Sequence, residues 1–149
     1  MPTPAATAML DQADAATRHA RTVVERLADL TATPHRGTRP SPWLAAQLLD
    51  LDRRMADRTI TLCPHIGDAP QIVHAVAWRP GTLACTRCAT AMLTPTDTED
   101  QTCDRCRHLA DPIHSGLVTI GPLLFGFGLC DPCARTTGHL TTPTNPRHE

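Results

Sequence analysis

The tightest constraint on this chain is the placement of its cysteines. All seven lie between Cys63 and Cys133, and six of them form three Cys-x-x-Cys pairs: Cys85/Cys88, Cys103/Cys106 and Cys130/Cys133. The seventh stands in Cys63-Pro64-His65, so four two-donor units follow one another. Seven thiols and one imidazole make two complete four-donor shells, the number a structural zinc ion takes. An odd thiol count leaves one over in any disulfide scheme, whereas a histidine completes the metal count. Iron is the competing metal; the regular pairs and the presence of a histidine favour zinc.

The rest of the composition points the same way. The chain has 149 residues with two Trp, two Phe and no Tyr. A segment with so few large side chains buries little apolar area, and small domains make up that shortfall with metal or disulfides. Metal binding is therefore expected to be part of the folding free energy. Residues 1–10 lack the charged-then-apolar pattern of a signal peptide, and the longest apolar run, Leu123 to Leu129, is broken by Gly126 and Gly128. The expected location is the cytoplasm, where thiols stay reduced, with no membrane partner. Formal net charge is −1 and every basic residue is arginine. Neither half carries the basic excess expected of a module that grips phosphates.

Ahead of the cysteines the pattern is helical. Residues 1–6 read as a tail. Met9, Ala13, Ala16, Ala20, Val23, Leu27 and Leu30 recur at spacings of four and three, which predicts a helix from about Thr7 to Leu30. Thr31 to Pro40 reads as loop, because Pro34, Gly37 and Pro40 break helices. Ser41-Pro42 is a helix start, and Leu44, Leu48, Leu51 and Met55 form the stripe of a second helix. Residues 7–60 are therefore expected to form an antiparallel helical hairpin. It would pack on the cysteine region or on a copy of itself, with protein the expected partner class.

From Cys63 the sequence reads twice. Residues 61–94 form one unit, 95–101 a linker, 102–140 a second unit and 141–149 a tail. A donor pair opens and closes each unit, with 19 residues between the pairs in the first and 23 in the second. Each gap carries a β-rich stretch, a Gly/Pro turn and a return: Gln71 to Trp78 then Thr82 to Ala84, and His114 to Ile120 then Leu123 to Leu129. The closing pair then opens a short helix, over Thr86 to Leu93 in the first unit and at Asp131-Pro132 in the second. The fold class expected is α+β: a helical hairpin followed by two small units of knuckle, β-hairpin and short helix.

Knuckle, hairpin, and a helix that supplies the last two donors: this resembles the treble-clef class of zinc finger, in tandem. As a general type the chain also resembles small zinc-finger proteins of high-GC bacteria, which implies no activity. Carried over, the resemblance implies one zinc on Cys63, His65, Cys85 and Cys88 and a second on Cys103, Cys106, Cys130 and Cys133. Cys63-Pro64-His65 departs from the pattern in having one spacer residue where a knuckle has two. His74 is the reserve donor. Crossed pairing, first pair with third and second with fourth as in RING-type domains, is the alternative; the 14 residues between the second and third pairs favour local pairing.

Two closed four-donor sites leave no position for a substrate, so catalysis is not expected. No glutamate follows a histidine at the spacing that zinc deaminases use. Arg87, Arg105 and Arg107 lie within or beside the Cys-x-x-Cys pairs. Compensation of site charge is the favoured role for them, and nucleic-acid contact the alternative. Trp43 and Trp78 read as packing anchors. The expected role is structural zinc binding in a protein-interaction adaptor or regulator, with a nucleic-acid-binding regulator second and a zinc hydrolase or redox protein third.

Overall fold

A computed structural model describes residues 1, 3–31, 41–67 and 69–139. It is mixed α/β: a long N-terminal helix, a second helix and one small sheet flanked by short helices. Helix α1 spans Pro4–Thr31 and α2 Pro42–Ala56. The strands are β1 (Thr61–Leu62), β2 (Val73–Val76), β3 (Thr82–Cys85), β4 (His114–Ile120) and β5 (Leu123–Leu129). The short helices are α3 (Ala89–Leu93), α4 (Asp97–Asp100) and α5 (Asp131–Thr136). Of the loop expected over Thr31 to Pro40, Thr31 instead ends α1, and residues 32–40 and the tail at 141–149 lie outside the described residues, as do the side chains of Leu27 and Leu30.

Both helix starts are written locally. Ser41 caps α2, its Oγ accepting from Leu44 N at 3.2 Å, with Pro42 in the first turn. Thr3 does the same for α1, its Oγ1 accepting from Ala6 N at 3.2 Å ahead of Pro4. The helix thus begins three residues earlier than its apolar stripe suggests, and residues 4–6 are helix rather than tail.

The two units do not sit as separate beads. Their hairpins join into one five-stranded sheet of order β1-β3-β2-β5-β4. The seam is a parallel pairing of β2 with β5, Val73 opposite Leu123 and Val76 opposite Gly126. Alternation along β5 then defines two faces. Phe125, Phe127 and Leu129 point to one, where they pack with Ala75, Ala77, Leu83 and with Leu44 and Leu51 of α2. Leu124 points to the other, where it meets Ala20 and Val23 of α1 and Leu117. Trp43 lies edge-on to Phe127, ring centroids 5.6 Å apart. Each fully buried Leu or Phe contributes roughly 1.5–3 kcal/mol, so the sheet faces hold the helices.

This corrects the expected helical hairpin. Among the described residues α1 packs through Ala20 and Val23 on one face of the sheet and α2 through Leu44 and Leu51 on the other, rather than on each other. The expected linker at 95–101 is also structured. It holds α4, closed by a capping box in which Thr96 Oγ1 accepts from Glu99 N at 3.2 Å and the Glu99 carboxylate returns to Thr96 N.

Candidate metal centre

The eight expected donors gather into two groups. Cys63, His65, Cys85 and Cys88 form one, and Cys103, Cys106, Cys130 and Cys133 the other; within each, one donor atom per residue lies within 4.8 Å of all the others. The grouping is local along the chain, not crossed. Both sets can hold a metal ion by number, chemistry and spacing.

The sheet decides where the two groups sit. Val73 opens β2 and pairs with both Cys85 and Leu123. The first group is therefore at the end of the sheet where β5 begins. The second adjoins Leu129, where β5 ends. Six strand steps separate the two ends, about 20 Å.

In the first group, β1 runs parallel to β3 and delivers Cys63 beside it, with Cys63 N donating to Leu83 O at 3.1 Å. Cys85 ends β3, and its N–H donates to Cys63 Sγ at 3.2 Å. Cys88 immediately precedes α3. His65 turns Nδ1 toward Cys88 Sγ at 3.1 Å. His74 is not in the group: it lies half-buried on β2 with Nε2 3.1 Å from Thr86 Oγ1, and burial lowers its pKa.

In the second group, Cys103 and Cys106 form a tight knuckle. Arg107 N donates to Cys103 O and Cys103 N to His108 O, both at 2.9 Å. Arg107 occupies the left-handed region, φ 64°. Cys130 immediately precedes α5 and Cys133 lies within its first turn. Cys106 Sγ and Cys130 Sγ are 3.8 Å apart. Exposure differs between the groups. The second buries three of its four donors and half-buries Cys106, whereas in the first His65 is exposed and Cys88 half-buried.

The thiols in each group are electrostatically unequal. Burial alone would raise Cys63; the N–H groups of Cys85 and His65, with the Cys85 and Cys88 thiols, outweigh it and bring Cys63 down to about 6. Cys88 is pushed up to about 11 by burial and by the Cys85 and Cys63 sulfurs. Cys103 follows Cys63: its burial is outweighed by the N–H groups of Cys106, Cys130 and Arg105, and it falls to about 6. Against the N–H of Cys133, burial and three neighbouring thiols push Cys130 up to about 12. Cys63 and Cys103 ionise readily, whereas Cys88, Cys106 and Cys130 resist, because like charges crowd a small volume. A cation at the centre removes that resistance.

Two supporting groups were missed in the sequence. Asp104, inside the Cys103/Cys106 pair, is buried, with its carboxylate accepting from Gly128 N at 2.6 Å. His114 Nε2 bonds to Asp131, the residue after Cys130. An acid between two cysteines reads as a solvated charge; nothing local says that it is buried. Arg105 Nη1 reaches Cys133 Sγ at 3.5 Å, which fits compensation of thiolate charge. Arg87 belongs to the other end of the sheet, so Arg87, Arg105 and Arg107 do not form one patch.

Comparison with known proteins finds no matching family model, no matching curated protein and no matching solved structure.

Proposed function

We propose that both groups are structural zinc centres, one ion each, and that the chain is a non-enzymatic, cytoplasmic protein-interaction adaptor or regulator whose fold the metal completes. The observation that carries the reading is the closure of both donor sets, four protein atoms within 4.8 Å in each. Zinc–sulfur bonds of about 2.3 Å give a tetrahedral sulfur–sulfur edge of about 3.8 Å. The Cys106–Cys130 separation of 3.8 Å has that length. When bound, zinc supplies the divalent charge that lets neighbouring thiols ionise together.

In this reading Cys63, His65, Cys85 and Cys88 hold one ion and Cys103, Cys106, Cys130 and Cys133 the other. Each unit is then treble-clef-like, a knuckle and hairpin closed by donors at the start of a short helix. Four protein donors leave no coordination position for a substrate, which is why catalysis is not part of the proposal. Nucleic-acid binding takes second place, because Arg87 is remote from Arg105 and Arg107 and the net charge is −1.

Metal analysis of the purified chain tests the reading. Close to two zinc ions per chain is the expected result; one, none, or iron in their place overturns it. Binding of double-stranded nucleic acid that weakens steeply with salt would overturn the adaptor role in favour of the nucleic-acid reading.

A further inference from the structure

We propose that the outer edge of β4 is a self-association surface, on which a second copy of this chain adds its own β4 antiparallel. The hydrogen bonds of β5 fix which backbone groups are free. Gly126 O accepts from Ala77 N, and Gly128 exchanges hydrogen bonds with Asp104. The even residues of β5 therefore point away from β4, and the odd ones toward it. With Gly116 opposite Phe127 and Val118 opposite Phe125, alternation assigns His114, Gly116, Val118 and Ile120 to bonds with β5. Ser115, Leu117 and Thr119 are left with N–H and C=O aimed outward, and among the described residues no strand lies beyond them.

Those three residues are symmetric about Leu117. A twofold axis normal to the sheet sets Leu117 opposite its own copy and Ser115 opposite Thr119 of the other chain. Every outward donor then meets an acceptor, and the hydroxyl-bearing pairs are of a type that favours antiparallel neighbours. The axis also keeps α1 of both copies on the same face of the enlarged sheet.

Within the strand itself the usual guard residues are missing. His114–Ile120 contains no lysine, arginine, acid or proline, and Ile120 is 44% exposed. The opposite edge is different: β1 is only two residues long. With a net charge of −1, two copies meet without strong mutual repulsion. The inference deepens the protein-interaction reading by naming the partner.

Sedimentation of the full metal-loaded chain across the micromolar range tests it, with metal content measured on the same samples. A concentration-dependent dimer is expected. The variant S115K/T119K places like charges opposite each other twice and should raise the dimer dissociation constant about tenfold or more. The variant S115E/T119K places Glu opposite Lys across the same axis and should keep the dimer. Amide exchange at Leu117 and Thr119 should slow with concentration in the unmodified chain. A zinc-loaded chain that stays monomeric, double variants that behave alike, or a dimer dissolved by Leu10→Arg, at an exposed leucine of α1, but not by S115K/T119K overturns the proposal. So does a monomer whose β4 takes an extended segment of another protein. A chain without zinc instead sinks the metal reading, so the two failures are distinct.

Discussion

Asp104 and Gly128 hold each other at both ends of one backbone step: Asp104 N donates to Gly128 O at 2.8 Å, and Gly128 N donates to the Asp104 carboxylate at 2.6 Å. The pair ties the knuckle carrying Cys103 and Cys106 to the strand that leads into Cys130. It joins the two halves of one donor set through protein groups alone. Asp104→Ala leaves the buried Gly128 N–H without an acceptor and should lower stability by roughly 1–3 kcal/mol. Asp104→Asn keeps an acceptor oxygen in place and should cost less. Chemical denaturation of the metal-loaded variants reads the difference.

If both groups hold zinc, they should not release it alike. His65 is exposed and Cys88 half-buried in the first, whereas three donors are buried in the second. A chelator should remove one ion quickly and the other slowly, and His65→Ala should abolish the fast phase while leaving one ion per chain. Acid should act through the same chemistry. Cys63 and Cys103, each held down to about 6, are the thiolates from which a shell is built, and metal must compete with protons for them as pH falls through that value. A colorimetric zinc indicator, followed against time and pH, checks both outcomes.

The cysteine spacing carried the donor sets because donors on a short knuckle or helix start are neighbours whatever the rest of the chain does. The strands His114–Ile120 and Leu123–Leu129 were equally legible, each bounded by a Gly/Pro turn. What could not be read was the seam between the units. The pairing of β2 with β5 joins residues about fifty positions apart in sequence, and no local pattern encodes such a contact. The helical hairpin failed for the same reason: the stripe of α1 says that one face is buried, not against what.

The segment 95–101 was misread for a different reason, since its signal was present. Thr96-Asp97-Thr98-Glu99 is a capping box in one line of sequence. Arg79 completes the arrangement, donating to Met92 O at 2.6 Å, to Thr94 O at 3.1 Å and to Glu99 at 3.2 Å. Arg79, aided by Thr96, holds the Glu99 carboxyl below its ordinary range against the effect of burial. The unfolded chain therefore binds that proton at higher pH than the folded one. The stabilisation is full above the usual carboxylate range and is lost as pH falls through the lowered value. Both partners are partly exposed, so the contribution should stay under about 1 kcal/mol. Glu99→Gln should flatten this part of the acid limb in a plot of stability against pH, and Thr96→Ala should cost roughly 1 kcal/mol at neutral pH.

Two arginines occupy backbone positions that suit glycine. Arg58 follows α2 with φ 55°, in a C-terminal motif where Thr59 N donates to Arg54 O at 3.0 Å and Arg58 N to Met55 O at 3.3 Å. At the end of α5 the same motif uses Gly138, φ 79°. An L-residue held there costs roughly 1–2 kcal/mol, of which glycine returns part as entropy. Arg58→Gly should therefore raise stability by about 0.5–1 kcal/mol. Arg107→Gly relieves the same strain at φ 64° but removes a positive charge that acts on Asp104, and should gain less. Thermal unfolding of the two variants side by side separates backbone relief from electrostatics.

Gly116 is small for a reason of space alone. A Cβ built on it would run into the ring of Phe127, its partner across the β4–β5 ladder. That ring cannot retreat: it is 2% exposed, with Trp43 edge-on at 5.6 Å and the His139 ring 4.6 Å from its own centroid. Gly116→Ala should therefore force the ring off its rotamer or β4 off its register, at a cost of about 1–3 kcal/mol. Gly67 is the control, because nothing lies within 4 Å of a Cβ added there. Gly67→Ala should be neutral or slightly stabilising through the unfolded chain. Equal stability of the two variants in urea would show that the β4–β5 ladder yields where the packing of Phe127 says that it should not.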